Sequence, residues 1–157
     1  MADRAVVLCG AAVAFIGSSC GWNHDLGRFQ GSLARGIENK CGTQTNCKVR
    51  LGDYTDFRWD ELYFFPYTTS KARITQVLGL PVKNWQEFEA YEVFLMRGKI
   101  MHQEEFGVDV EKPLNREVGF VIPTGSDFVR FTPEEKLTAK KEDTGSRVYF
   151  TVANGNR

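Results

Sequence analysis

Three carboxylates lie close together in an aromatic-rich stretch near the middle of the chain. Asp56 precedes the adjacent pair Asp60 and Glu61, and the stretch also holds Phe57 and Trp59. Glycoside hydrolases use two such carboxylates as acid and base or nucleophile, and aromatic rings can stack on a sugar. One hypothesis is therefore an enzyme that acts on wall glycan or a related substrate with these carboxylates as acid and base.

A β-strand with a buried face explains most of the same aromatic residues without catalysis. From Phe57 to Phe65 the chain is rich in residues that favour strands, and successive side chains of a strand point to opposite faces. In this interpretation Asp60 pairs with Arg58 or caps a neighbouring turn. The candidate binding residues of the segment are Trp59, Asp60, Tyr63 and Tyr67.

The four cysteines divide into two pairs. The first pair lies near the start of the chain and ends at Cys20, which leaves Cys41 and Cys47 as the remaining thiols. In an oxidising compartment two thiols so close in sequence close a small loop, and chain entropy gives that disulfide about 2 kcal/mol. Zinc sites favour CxxC spacing or additional histidines, and the chain has only two histidines. We predict a Cys41–Cys47 disulfide and no metal site.

Residues 1–20 have the layout of a bacterial export signal. After Arg4, the stretch from Ala5 to Ile16 carries no charged side chain, and small residues then lead to Cys20. A basic start, a short apolar centre and small residues before a cleavage point define a secretory signal. A cysteine in this position is similar to that of the bacterial lipobox, which is acylated after cleavage. Acylation at Cys20, simple cleavage nearby and an uncleaved anchor are the three outcomes that the segment leaves open.

The composition favours one packed domain, which we assign to residues 21–157. The full chain has 157 residues, of which 42% are hydrophobic and 13% aromatic. Twenty basic residues balance twenty acidic ones, whereas nucleic-acid-binding proteins usually carry a basic excess. We therefore expect no nucleic-acid partner. The phosphate-loop, dinucleotide-binding and metalloprotease motifs are missing from the sequence, and no cofactor is predicted.

Hydrophobic spacing predicts two helices and a series of strands. Apolar residues recur every three or four positions from Asp25 to Lys40, and again after the helix-capping Ser70. The predicted strands are, in order, 48–51, 57–65, 88–96, 100–106, 118–122, 127–131, 136–140 and 147–152. Because short links join the later strands, we expect an antiparallel meander. The predicted fold is α+β, an antiparallel sheet of about five to seven strands with two helices packed on one face.

The aromatic segment resembles a signature of small uncharacterised bacterial exported proteins and lipoproteins. In that signature a DFxWDxxYxF stretch and a Pro-Tyr-Thr step lead into a helix. The residues that carry the resemblance are Asp56, Phe57, Trp59, Asp60, Tyr63, Phe65, Tyr67 and Thr68. The resemblance implies export and an α+β domain, and it transfers no catalytic residue.

Together these patterns predict an envelope protein, either exported or lipid-anchored, that binds rather than catalyses. The expected partner is another envelope protein, and the expected membrane contact is the N-terminal lipid on Cys20. A specific form of this hypothesis is an inhibitor or immunity protein. The alternative remains an envelope hydrolase that uses Asp56, Asp60 and Glu61.

Overall fold

The computed structural model describes residues 28–107, 116–145 and 148–154. These ranges contain helices α1 (Arg28–Cys41) and α2 (Lys71–Leu78), with a short 3₁₀ helix at Leu51–Tyr54. The strands are β1 (Asn46–Val49), β2 (Glu61–Phe65), β3 (Glu89–Met96), β4 (Lys99–Gly107), β5 (Val118–Phe120), β6 (Val129–Phe131), β7 (Leu137–Asp143) and β8 (Val148–Asn154). The protein is α+β with mostly sheet, which confirms the predicted fold class.

The strands form two four-stranded sheets, ordered β1-β7-β8-β5 and β4-β3-β2-β6. The pairings in the described ranges are antiparallel except for β5 with β8, which run parallel. The prediction of a single meander sheet is wrong. The prediction assumed that each strand pairs with its neighbour in sequence, but β1, β5 and β6 pair with strands that are distant in the chain. The β3–β4 and β7–β8 pairs are sequence neighbours, as expected.

The inner faces of the two sheets share one hydrophobic core with α1. Leu33 and Ile37 of α1, Leu62 of β2, Phe94 of β3 and Phe150 of β8 are all fully buried in this core. Residues three or four apart lie on the same face of a helix, so α1 can direct its apolar stripe inward and leave its polar stripe outside. The apolar spacing that predicts this helix thus also identifies its buried face.

The other face of sheet β4-β3-β2-β6 packs against α2. Phe65, Ile74 and Tyr91 are fully buried in this second cluster. Ser70 caps the first turn of α2, and Gly79 ends the helix in the left-handed conformation. The two helices therefore pack on opposite faces of one sheet, and the prediction that both lie on one face is wrong. The reason is that β2 and β3 bury side chains on both of their faces.

The aromatic strand is shorter than its sequence suggests. β2 begins at Glu61 rather than Phe57, and Asp60 immediately before it binds the neighbouring hairpin turn. Asp60 Oδ2 accepts a hydrogen bond of 2.6 Å from the backbone N–H of Arg97. Arg97 and Gly98 have φ angles of 51° and 71°, as a two-residue hairpin turn requires. Asp60 thus caps a neighbouring turn, one of the two roles proposed for it.

The N-terminal helix is confirmed from Arg28 onward. The predicted start at Asp25, the export segment 1–20 and Cys20 lie outside the described residues. The predicted Cys41–Cys47 disulfide is present, and it ties the end of α1 to β1. No helix within the described ranges has the length and apolar character needed to cross a membrane.

Candidate functional site

A cleft of about 580 Å³ opens between α1 and the segment 53–57, and we call it the α1 cleft. Its volume lies within the range of ligand pockets, roughly 300–1,000 Å³. One face of α1 lines it with Arg28, Ser32, Arg35, Gly36 and Asn39. Apart from the adjacent Arg35 and Gly36, successive residues of this set are three or four positions apart, which places them along one side of the helix. His102 and Glu104 of β4 also line the cleft.

Gly36 allows the opposite wall to approach the helix closely. A Cβ atom at this position would lie 2.0 Å from Cε1 of Tyr54 and 2.2 Å from Cδ1, far inside van der Waals contact. A helix interior loses about 1 kcal/mol with glycine in place of alanine. Here the glycine makes room for the Tyr54 ring, so the residue that weakens the helix also shapes the cleft.

His102 is held by a buried carboxylate. Nε2 of the imidazole lies 2.8 Å from Oε1 of Glu104, whose side chain is only 7% exposed. Both oxygens of Glu104 also accept the backbone N–H of Phe29, at 2.8 and 2.9 Å. That N–H belongs to the first turn of α1, where the helix dipole favours a negative charge. The rings of Phe57 and Phe94 pack against the imidazole. The orientation of His102 is therefore set on several sides.

A second carboxyl group lies behind this pair and has no access to solvent. Glu92 stands directly opposite Glu104 in the β3–β4 register and is fully buried. Burial raises the pKa of Glu92 well above its ordinary value, the hydrogen bond from Gln30 opposes that shift, and the charge of Glu104 adds to it. Glu92 is consequently protonated under conditions in which an exposed glutamate is ionised. Its Oε2 atom has no hydrogen-bond partner among the described residues.

Gln30 joins this buried acid to the other sheet. Its amide donates to Glu92 Oε1 and, at 3.1 Å, to the carbonyl oxygen of Val118 on β5. Its side-chain oxygen accepts the N–H of the same Val118 at 3.0 Å. A buried amide that satisfies strand backbone groups in this way acts as a link between the two sheets. The first turn of α1 is thus anchored to both of them.

The charged groups at the mouth of the cleft are paired, with one exception. Arg28 forms an ion pair with Asp56, and Arg50 forms one of 3.0 Å with Asp53. Arg35 has no ion-pair partner among the residues that the structure describes. The cleft therefore offers one uncompensated guanidinium. In the described ranges no three His, Cys, Asp or Glu side chains are grouped so that they could hold a metal ion.

The three carboxylates of the hydrolase hypothesis are not brought together. Asp56 borders the α1 cleft, Asp60 binds the hairpin turn, and Glu61 accepts a 3.0 Å hydrogen bond from Arg130. Ser32 and His102 do line one cleft, yet no hydrogen bond joins them in the described part of the chain. A serine nucleophile is activated by a base within hydrogen-bond reach. Neither proposed arrangement is therefore joined by hydrogen bonds among the described residues.

The four candidate binding residues are also divided. Trp59 is 4% exposed and belongs to the core on the cleft side of the sheet. Tyr63 packs on the opposite face, beside the α2 cluster. Tyr67 is 36% exposed and lines neither the α1 cleft nor the smaller depression that Trp59 and Asp60 border.

Of the residues that line the α1 cleft, Asp56 was a candidate from the sequence, whereas His102 and Glu104 were not, although a signal for these two existed. Phe106 is buried on β4, and period-two alternation puts Glu104 and His102 on its side of the strand. The same alternation puts Glu92 beside Phe94 on β3. Polar side chains at inward positions of a strand therefore indicate the site. Comparisons of this chain with protein-family models, curated proteins and solved structures find no match.

Proposed function

We propose that this protein is an exported or lipid-anchored component of the bacterial cell envelope that binds another envelope protein through the α1 cleft. The observation that carries the proposal is the α1 cleft itself. It has aromatic walls, a histidine held by a buried glutamate, and an arginine without an ion-pair partner among the described residues. Concave sites with a few convergent polar groups are the usual places of ligand binding.

Export is supported by the sequence and by the disulfide. Residues 1–20 have the layout of a secretory signal, and Cys20 stands where the lipobox cysteine is acylated. Disulfides such as Cys41–Cys47 persist in oxidising compartments outside the cytoplasm. The resemblance of the aromatic segment to bacterial lipoproteins agrees with this location. The binding domain would then comprise residues 21–157.

A binding role is better supported than hydrolysis. Carboxylates that cleave a glycosidic bond face one cleft at a separation of about 5–10 Å. Asp56, Asp60 and Glu61 have separate partners in separate places. An inhibitor or immunity protein is a specific form of the binding proposal, since the α1 cleft would then hold a segment of the toxin or wall enzyme.

Blocking the cleft tests the proposed site. Asn39 is exposed on the cleft side of α1, and Ala72 is exposed on α2. The full chain carrying Asn39→Trp is expected to lose the envelope protein that the wild type captures from envelope extracts. The matched Ala72→Trp variant should retain it. Equal capture by all three proteins, with unchanged circular dichroism, would exclude the cleft as the binding site.

The mass of the protein recovered from its native membrane fraction tests export separately. We expect loss of the residues before Cys20, acyl chains on that cysteine, and a mass two hydrogens below the reduced value, because of the disulfide. Two or three acyl chains give durable membrane attachment, whereas one is marginal. An unprocessed chain with reduced Cys41 and Cys47 would contradict the proposed location.

A further inference from the structure

We infer that the α1 cleft recognises a singly charged carboxylate together with an adjacent apolar side chain. This inference rests on the proposed function, since it takes the α1 cleft to be the binding site. Such a group occurs in a protein partner either as a chain-terminal carboxylate or as an acidic side chain beside an apolar residue. The charges and the rings of the cleft lead separately to the two halves of this ligand.

The charge pattern favours an anion. A guanidinium presents parallel N–H donors that match the two oxygens of a carboxylate, and Arg35 lines the cleft without an ion-pair partner in the described ranges. A carboxylate at Arg35 leaves the existing ion pairs intact. A cationic ligand would instead compete with Arg28 for Asp56 or with Arg50 for Asp53.

The same pattern limits the ligand to a single negative charge. Asp53, Asp56 and Glu104 also line the cleft. Although each has a basic or N–H partner, like charges brought together across an interface are unfavourable. A dianionic phosphate would meet more repulsion here than a carboxylate meets. The single cleft arginine that lacks an ion-pair partner in the described ranges therefore suits one carboxylate.

The aromatic wall accounts for the apolar half of the ligand. The Phe57 ring packs at 5.1 Å, centroid to centroid, against both Phe94 and His102. These two contacts restrict the orientation of the ring. The Tyr54 ring is held against the helix at Gly36. Rings already fixed in position lose little conformational entropy when a ligand packs on them. An apolar side chain next to the carboxylate would bury itself against this wall.

Four small probes separate the two carboxylate sources. N-acetylphenylalanine carries a terminal carboxylate, and N-acetylglutamylphenylalaninamide carries a side-chain carboxylate. Their neutral counterparts are N-acetylphenylalaninamide and N-acetylglutaminylphenylalaninamide. Each would be titrated into the ¹⁵N-labelled full chain in mild detergent, and amide shifts would be followed on α1 and in segment 53–57. We expect at least one acid to bind with shifts confined to these two segments, and its neutral counterpart to bind about tenfold more weakly.

Arginine variants identify the recognising group. Arg35→Gln should weaken the binding of the acidic probe by about tenfold and leave the binding of its neutral counterpart unchanged. Arg58→Gln is the control, because Arg58 is also exposed and lies outside the α1 cleft. Equal binding of acid and amide, shifts elsewhere, or no binding of any probe would overturn the inference. If the partner were still lost with Asn39→Trp in that case, the site would stand and only the ligand class would be wrong.

Discussion

The two faces of sheet β4-β3-β2-β6 are buried to a similar degree but differ in chemistry. On the α2 face, β3 contributes Tyr91, Val93 and Leu95 to an apolar cluster. On the cleft face, the same strand places Glu92 between Ala90 and Phe94, opposite Glu104. One strand therefore supplies conventional packing on one face and a buried acid pair on the other.

This difference suggests which face is under functional constraint. A buried carboxyl oxygen without a hydrogen-bond partner costs free energy that an apolar side chain would not cost. Departures from consistent packing are expected at functional sites, where another requirement opposes stability. The cleft face has such a departure at the buried acid Glu92. The α2 face has a neutral one, the buried Nε1 of Trp85, but no buried acid pair among the described residues. The α2 face accordingly stabilises the sheet that carries the cleft.

The largest expected effect is on the α2 face. Phe65→Ala removes a fully buried ring from the α2 cluster, and such truncations lower the free energy of unfolding by about 3–5 kcal/mol. Urea unfolding would measure the loss. The folded fraction should still capture the proposed envelope partner with unchanged affinity. A loss below about 1 kcal/mol would mean that this face is not the stabilising one.

The next effect is pH dependent and belongs to Glu92 on the cleft face. Its pKa is raised in the folded protein, so the folded state binds more protons than the unfolded state once pH exceeds the ordinary glutamate value. The free energy of unfolding must then fall as pH rises, until the folded-state pKa is reached. Glu92→Gln removes this titration while keeping the size and polarity of the side chain.

We therefore expect Glu92→Gln to gain stability relative to wild type as pH rises. The difference in free energy of unfolding between the variant and the wild type should increase by up to about 1.4 kcal/mol per pH unit between roughly pH 5 and the folded-state pKa. Denaturant unfolding at several pH values would measure it, with Glu105→Gln as a control for an incompletely buried glutamate on the neighbouring strand β4. A gap that stays constant with pH would show that Glu92 is ionised in the folded protein.

The smallest stability effect comes from two glycines of α1. Gly31→Ala meets only Nη1 of Arg35, at an ordinary 3.6 Å, and should stabilise the protein by about 0.5–1 kcal/mol through helix propensity. In Gly36→Ala the added Cβ atom would overlap the Tyr54 ring, so we expect this variant to show no such increase in stability. Thermal unfolding would compare the two. Gly36→Ala should also shift the Tyr54 resonances and weaken partner capture, whereas equal behaviour of both variants would mean that Tyr54 does not depend on Gly36.

The elements with local signals could be predicted from the sequence. Ser70 and Gly79 mark the ends of α2, and the hairpin around Arg97 and Gly98 has a strong turn signal. The Cys41–Cys47 disulfide followed from close spacing. These features depend on interactions between residues near one another in the chain.

The division into two sheets and the α1 cleft depend on distant contacts. Nothing local indicates that β5 runs parallel to β8, or that Glu104 of β4 receives the N–H of Phe29. The aromatic segment was misleading because a strand buried on both faces resembles a binding surface in sequence. Trp59, just before this strand, is likewise buried in the core.

Photocrosslinking in intact bacterial cells compares the two faces directly. A p-benzoylphenylalanine residue would replace Asn39 at the cleft in one full-length chain and Ala72 on α2 in another, and adducts would be separated by mass. Both positions are exposed, so access to the probe is matched. We predict an adduct with one envelope protein from position 39 that disappears with Arg35→Gln, and none from position 72. An adduct from position 72 alone, or the same adducts from both positions, would contradict the proposal that the α1 cleft is the binding site.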